Sequence, residues 1–248
     1  MLDRTWTFYP IGDEYPNANC GIVTIASKDV TLDLRGFAFL SEFAPVLSIN
    51  TGARFTLRNG TLDGGFVAIE DISGVDPGGR ATLDRIYASG AVILRKRPVT
   101  VSGGKFAASL DPALWIGEDS RVERADLGCL EDACVSVGGR SVIRDCTIAS
   151  SGFTPAISVR GDGTIVEGNN VARWIHISGN DNVIARNFSA TGTYIEVSKG
   201  ARNVLEGNIG LGISFESTGN FYGNNRVALP GGFTGTADNV DWGGNVSY

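Results

Sequence analysis

Ile165-Val166-Glu167-Gly168-Asn169 and Val204-Leu205-Glu206-Gly207-Asn208 carry the same message twice: two apolar residues, an acid, then Gly-Asn. Val183-Ile184-Ala185-Arg186-Asn187 lies between them as a close variant, and Phe221-Tyr222-Gly223-Asn224 follows as another. A second, shorter unit of apolar-x-apolar form keeps step with these. Its copies are Val23-Thr24-Ile25, Leu47-Ser48-Ile49, Val67-Ala68-Ile69, Val92-Ile93-Leu94, Leu114-Trp115-Ile116, Val135-Ser136-Val137, Ile157-Ser158-Val159, Ile175-His176-Ile177, Ile195-Glu196-Val197 and Ile213-Ser214-Phe215. Successive anchors are 18 to 25 residues apart.

Two-residue alternation over so short a stretch signals strand. Parallel neighbours normally need long crossovers, and no helical segment is available to make them. A coil of roughly 20 residues, stacked on the next about 4.8 Å away, meets both conditions. Glycine and asparagine tolerate the left-handed backbone of the corners between strands. Asn169, Asn187, Asn208 and Asn224 are expected to bond amide to amide along the stack. The expectation is an all-β chain, a parallel β-solenoid of about ten coils and on the order of 48 Å long. One domain is expected over 1–248, with coils over 20–228. Residues 1–19, holding Trp6, Phe8, Tyr9 and Tyr15, are expected to cap one end, and 229–248 to form a final coil or cap.

Gly21-Ile22-Val23-Thr24-Ile25, followed by Val30-Thr31-Leu32-Asp33-Leu34-Arg35-Gly36, resembles the opening coil of right-handed parallel β-helix proteins of the pectate-lyase-like superfamily. The later Gly-Asn rungs resemble the same group. The resemblance spans about residues 20 to 228 and implies a right-handed coil. It also implies a polysaccharide-directed task, in a superfamily that spans lyases, polygalacturonases, alginate epimerases, phage tailspikes and noncatalytic surface proteins.

Composition narrows the task. The chain has 248 residues and 34 glycines, nearly twice the ~7% average. Lys+Arg 21 against Asp+Glu 27 leaves a net charge of −6, which argues against nucleic acid as partner. No apolar run approaches the ~18 residues that span a bilayer, so no membrane partner is expected. Met1-Leu2-Asp3-Arg4-Thr5-Trp6 shows no leader pattern. An extracellular or periplasmic place is expected if a leader was removed. Cys20, Cys129, Cys134 and Cys146 lack metal-ligand spacing and are expected to be buried apolar groups, not a disulfide framework. Glu131-Asp132 and Asp71 with Asp76 lack a full ligand set, so neither a metal nor another cofactor is expected.

The coil turns the repeat into a surface map. The middle residue of each triplet faces outward, giving a column that runs through Ala68, Ile93, Trp115, Ser136, Ser158, His176, Glu196 and Ser214. The preceding column reads Ile22, Val46, Phe66, Ala91 in its first half and Trp174, Tyr194 in its second. Val46, Phe66 and Ile93 are expected to form an apolar face, covered by a loop or by a second copy of the chain.

Arg160, Arg173, Trp174, His176, Tyr194 and Glu196 should converge on consecutive rungs, with Trp115 lower on the same face. These residue types suit proton abstraction beside a sugar carboxylate. In that reading Arg160 and Arg173 neutralise the carboxylate, His176 is the base, Tyr194 the acid, and Glu196 orients the imidazole. Trp174 and Trp115 stack on sugar rings, and Glu216 contacts substrate from the next rung. Glu196 with Glu216 could also form a glycosidase pair, but the Asn-Thr-Asp and His-Gly motifs of polygalacturonases are absent. The plainer reading is a cross-strand polar pair of His176 and Glu196, worth about 0.2–1 kcal/mol. Two functions therefore compete: a lyase or epimerase of acidic polysaccharides, and a noncatalytic structural or carbohydrate-binding rod.

Overall fold

The computed structural model describes residues 23–26, 29–41, 45–50, 52, 54–72, 79–191, 194–210, 212–227, 232–235 and 237–247. No helix occurs among the described residues, and the strands stack as a parallel β-solenoid of about ten turns. Each turn contributes to three walls. The first wall contains Leu114–Ile116, Val135–Val137, Ile157–Arg160, Ile175–Ser178, Tyr194–Lys199 and Gly212–Phe215. The second contains Val99–Ser102, Arg121–Glu123, Val142–Arg144, Ile165–Glu167, Val183–Ala185 and Val204–Glu206. The third contains Lys105–Ala108, Asp126–Cys129, Thr147–Ser150 and Asn170–Val171, then thins to single bridges at Phe188 and Ile209. Phe55–Asp71 and Ala81–Leu94 run through parts of all three walls as long bent strands.

All pairings are parallel, so like residues stack. Leu114, Val135, Ile157, Ile175, Ile195 and Ile213 form one inward column, each no more than 1% exposed. Val122, Ile143, Val166, Ile184 and Leu205 form the matching column on the second wall, all fully buried. The interior is thus a set of aliphatic stacks, and each coil hides its apolar edge only against its neighbours.

The corners follow one rule. A residue with φ near +55° turns the chain, and the next side chain points inward to satisfy backbone groups there. At the corner between the second and third walls the turning residues include Asp145 (54°), Gly168 (67°), Arg186 (54°), Gly207 (65°) and Asn224 (55°). Behind them Asn169, Asn187, Asn208, Asn225 and Asn245 form a ladder, each of the first four donating its Nδ2–H to the Oδ1 of the next at 3.0–3.1 Å. The ladder therefore uses Asn225 where the sequence pattern suggested Asn224. Gly207 aligns with Asn224, which places Asn224 at the turning position. A second ladder at the other end of the second wall climbs from Ser120 through Ser141, Thr164, Asn182, Asn203 and Asn220 to Asn239.

Three further expectations change. The third triplet is misaligned by two residues: Leu47 pairs with Ile69, and Ile69 with Val92. Glu70 thus takes the outward position given to Ala68, and the anchor spacings become 22 and 23 residues. A β-bulge between Asp63 and Ile69 causes the shift. Consequently Val46, Phe66 and Ile93 do not share one exposed face. Val46 and Ala68 are fully buried, Ile93 packs on the core, and Phe66 alone is 61% exposed. Finally, Cys129 and Cys134, at the two ends of the turn between the third and first walls, are disulfide-bonded with Cα atoms 5.0 Å apart. Cys146 is a free, buried thiol.

Residues 229–248 were expected to form a coil or cap, and their described part continues all three walls. Phe233 and Thr234 pair with Ile213 and Ser214, Val240 with Phe221, and Val246 with Arg226. The expected cap at 1–19, and Ile22, lie outside the described residues.

Candidate functional site

Registers on the first wall fix the outward column. Ile93 pairs with Trp115, Trp115 with Ser136, Ser136 with Ser158, Ser158 with His176, and His176 with Glu196. Chemistry gathers at two places along it, separated by the buried Ser158.

The upper cluster holds Trp174, His176, Tyr194, Glu196 and Ser198. Trp174 and Tyr194 stack with ring centroids 5.6 Å apart and planes 9° from parallel. Such pairs contribute about 0.5–1.5 kcal/mol beyond area burial. Ala156 and Gly212, small and buried, flank them in their column, with Trp174 half-buried and Tyr194 40% exposed. His176 Nε2 lies 2.8 Å from Ser198 Oγ, which also lies 3.3 Å from the Ile177 carbonyl. One hydroxyl proton can serve only one of these acceptors, so the imidazole tautomer decides the other contact. Ser198 reaches His176 because the strand slips: Ile177 pairs with Val197 but Ser178 with Lys199, leaving Ser198 as the extra residue of a bulge.

Burial, then the charges of Glu196 and Glu216, push the Tyr194 phenol above its ordinary range. Tyr194 therefore stays protonated at neutral pH. Glu196 sits directly above His176 in the column, yet the hydrogen bond to the imidazole comes from Ser198.

The expected cations stand elsewhere. Arg160 places its Nε 3.4 Å from Ser158 Oγ and its guanidinium carbon 5.8 Å from the Trp115 ring. Arg173 lies over the exposed Phe153 ring, 5.9 Å from its centroid. Glu216 is exposed one rung above Glu196 and reaches the cluster through its charge on Tyr194. Trp174, His176, Tyr194 and Glu196 thus come together, while Arg160 joins Trp115 lower down and Arg173 faces away.

The lower cluster is a cleft of about 210 Å³ lined by Arg95, Trp115, Gly117, Glu118, Ser136, Gly138 and Arg160, among others. Arg95, Gly117, Gly138 and Arg160 follow the inward residues Leu94, Ile116, Val137 and Val159 on successive rungs. Two glycines stand between the two arginines in this column. A Cβ on Gly117 would meet the Arg95 and Arg97 backbone oxygens at 2.8 Å, and one on Gly138 would meet Glu118 at 2.8 Å. The Arg95 guanidinium carbon sits 3.8 Å from the Trp115 centroid. Ser136 Oγ is buried with no hydrogen-bond partner. A buried hydroxyl left unsatisfied costs about 1–3 kcal/mol.

Arg95, Ser136 and Ser198 were not among the expected site residues. The arginine–glycine–glycine–arginine column was readable once the coils were aligned. The burial of Ser136 and the bulge at Ser198 had no sequence signal.

A larger trough of about 430 Å³ lies on the third wall, lined by Ser89, Ala107, Gly128, Ala149 and Leu130, among others. None of its lining residues carries an ionisable side chain except the disulfide-bonded Cys129, so it offers neither acid, base nor charge.

The fold and its outward column define a parallel β-solenoid with a chemically differentiated first wall. No protein-family description, curated protein or solved structure matches the chain.

Proposed function

We propose that this chain is a polysaccharide-directed β-helix of the right-handed, pectate-lyase-like kind, and that it holds a glycan along the first wall without cleaving it. The carrying observation is the stacked Trp174–Tyr194 pair beside the His176–Ser198 hydrogen bond. Sugars present apolar C–H faces and a fringe of hydroxyls, and they are recognised by aromatic surface with a few convergent polar groups. Glu196 and Glu216 add acceptors, and the Trp115 cleft extends the same face.

Affinity electrophoresis through gels containing acidic or neutral polysaccharides tests this reading. Replacing Trp174 and Tyr194 with alanine should weaken retardation by roughly tenfold or more. Arg202→Ala, at the corner between the first and second walls and paired with Asp181, should leave it unchanged. Retardation untouched by the double replacement would exclude the wall as the binding face.

One observation favours a second reading, a lyase or epimerase of acidic sugars. A hydrogen-bonded imidazole and a protonated phenol stand within one cluster, as a base and an acid would. In it, His176 removes the proton beside the sugar carboxylate, Tyr194 donates one, Glu196 orients His176, and Arg160 and Arg173 neutralise charge. Both arginines would have to leave the aromatic rings they now overlie. Ultraviolet absorbance of unsaturated products, measured on a panel of polyuronates, separates elimination from binding.

A further inference from the structure

The cleft between Arg95 and Arg160 is lined like a receptor for one small anion, and among the described residues no carboxylate pairs with either arginine. We infer that it binds a carboxylate, which deepens the glycan reading by naming an acidic sugar as the ligand and rests on that reading for the sugar part alone.

Three independent observations converge. Arg95 and Arg160 both bring guanidinium groups to the Trp115 indole, at 3.8 and 5.8 Å, and neither is ion-paired with a carboxylate among the described residues. A cation over an indole keeps N–H groups at its edge, and apart from the 3.4 Å bond from Arg160 Nε to Ser158 Oγ those edges can face a carboxylate fork. Ser136, only 1% exposed, lines the same cleft with a buried, unpartnered Oγ. Native proteins rarely leave such an atom without a partner, and a bound oxygen would supply one. Gly117 and Gly138, the residues between the arginines in this column, bring no side chain into the cleft, and the backbone packs too closely beside them for a Cβ.

The one carboxylate in the lining, Glu118, does not compete. Its Oε2 accepts from Arg140 Nη2 at 2.6 Å, and that same arginine also holds Asp119. The local balance therefore favours an anion although the whole chain is negative. Ser136, at the middle of the cleft, lies two rungs below His176, roughly 10 Å along the rod, and Arg160 on the rung between them bounds the cleft on the side of the upper cluster.

Isothermal titration of the full chain with glucuronate, with acetate, and with glucose as the neutral counterpart tests the site. Glucuronate should bind and glucose should not bind there. Arg95→Gln and Arg160→Gln should each weaken glucuronate roughly tenfold. Both residues are exposed, so folding is spared. Ser136→Ala, which removes one hydroxyl, should weaken it as well. Glucuronate bound more tightly than acetate assigns an acidic sugar. Equal affinity for the two keeps the carboxylate site and removes the sugar from it. No carboxylate binding, or binding indifferent to all three replacements, overturns the inference. Neutral polysaccharide retarded by the Trp174 wall would then leave the glycan reading standing alone.

Discussion

Gly103 and Gly104 sit side by side at the corner after Val99–Ser102, and only one of them must be glycine. Gly103 has φ +66° with no atom closer than 3.8 Å to an added Cβ, and the same corner in neighbouring coils carries Arg85, Arg124 and Asp145 at +51° to +54°. Gly104 has φ +93°, and a Cβ there would lie 2.2 Å from the Ile86 carbonyl oxygen. Gly103→Asn should change stability by no more than about 1 kcal/mol, because asparagine enters this region readily. Gly104→Ala should lose about 2 kcal/mol or more in urea unfolding. Equal losses would mean that the corner is not as tight as described. Cys146 gives a pH prediction at the same scale. Burial above all pushes its thiol up to about 11 from an ordinary value near 9. The folded chain then holds the proton where the unfolded chain has released it, so stability falls as pH rises from about 9 to about 11. Melting temperatures across that range should fall less steeply in Cys146→Ala, and parallel curves would remove the thiol as a cause.

Ladders and walls are the elements here, and their strength lies in position along the stack. Asn208 accepts from both the backbone and side-chain nitrogens of Asn187, and it donates to Ile184 O and Asn225 Oδ1. All of these contacts are buried, so Asn208→Ala orphans several groups at once and should cost about 3 kcal/mol. Asn245, nearer the solvent, caps the last described rung, and its alanine variant should cost about 1 kcal/mol or less. Chemical denaturation of the two variants checks the gradient; equal costs would show that the ladder does not act as a buried network. The strands and their stacking coil on coil were legible in the sequence, because inward positions repeat as aliphatic residues on successive coils; that each coil has three walls was not. Register was not always legible. Val67-Ala68-Ile69 has the right pattern at the wrong offset, since a bulge inserts residues that no local alternation reports.

At the scale of the molecule, a solenoid has no core that is complete within one coil. Phe215, Tyr222 and Phe233 form a continuous aromatic contact at the upper end, with centroid distances of 5.4 and 5.6 Å. A chain ending at Val227 would lose Phe233 and present Phe215 and Tyr222, now 5% and 6% exposed, together with open strand edges. Light scattering should show that truncated chain self-associating at concentrations where the full chain does not. An unchanged mass in solution would show that the last coil is dispensable as cover. The site obeys the same geometry. His176 and Glu196 were placed as vertical neighbours from spacing alone, and the register agrees.

The amino-acid sequence by itself determined the coil: a repeat near 20 residues, inward aliphatic columns, polar corners, and which residues share the first wall on every rung but that of Val67 and Ala68. Those properties come from local alternation and backbone preference, which need no knowledge of neighbours. Only the tertiary structure decided how the outward side chains meet. A bulge turned Ser198 toward His176, the corner between the third and first walls joined Cys129 to Cys134, and Arg95 and Arg160 closed on Trp115 from rungs on either side of it. Long side chains reach past their own rung, and the space that receives them belongs to other coils, so no linear pattern encodes it.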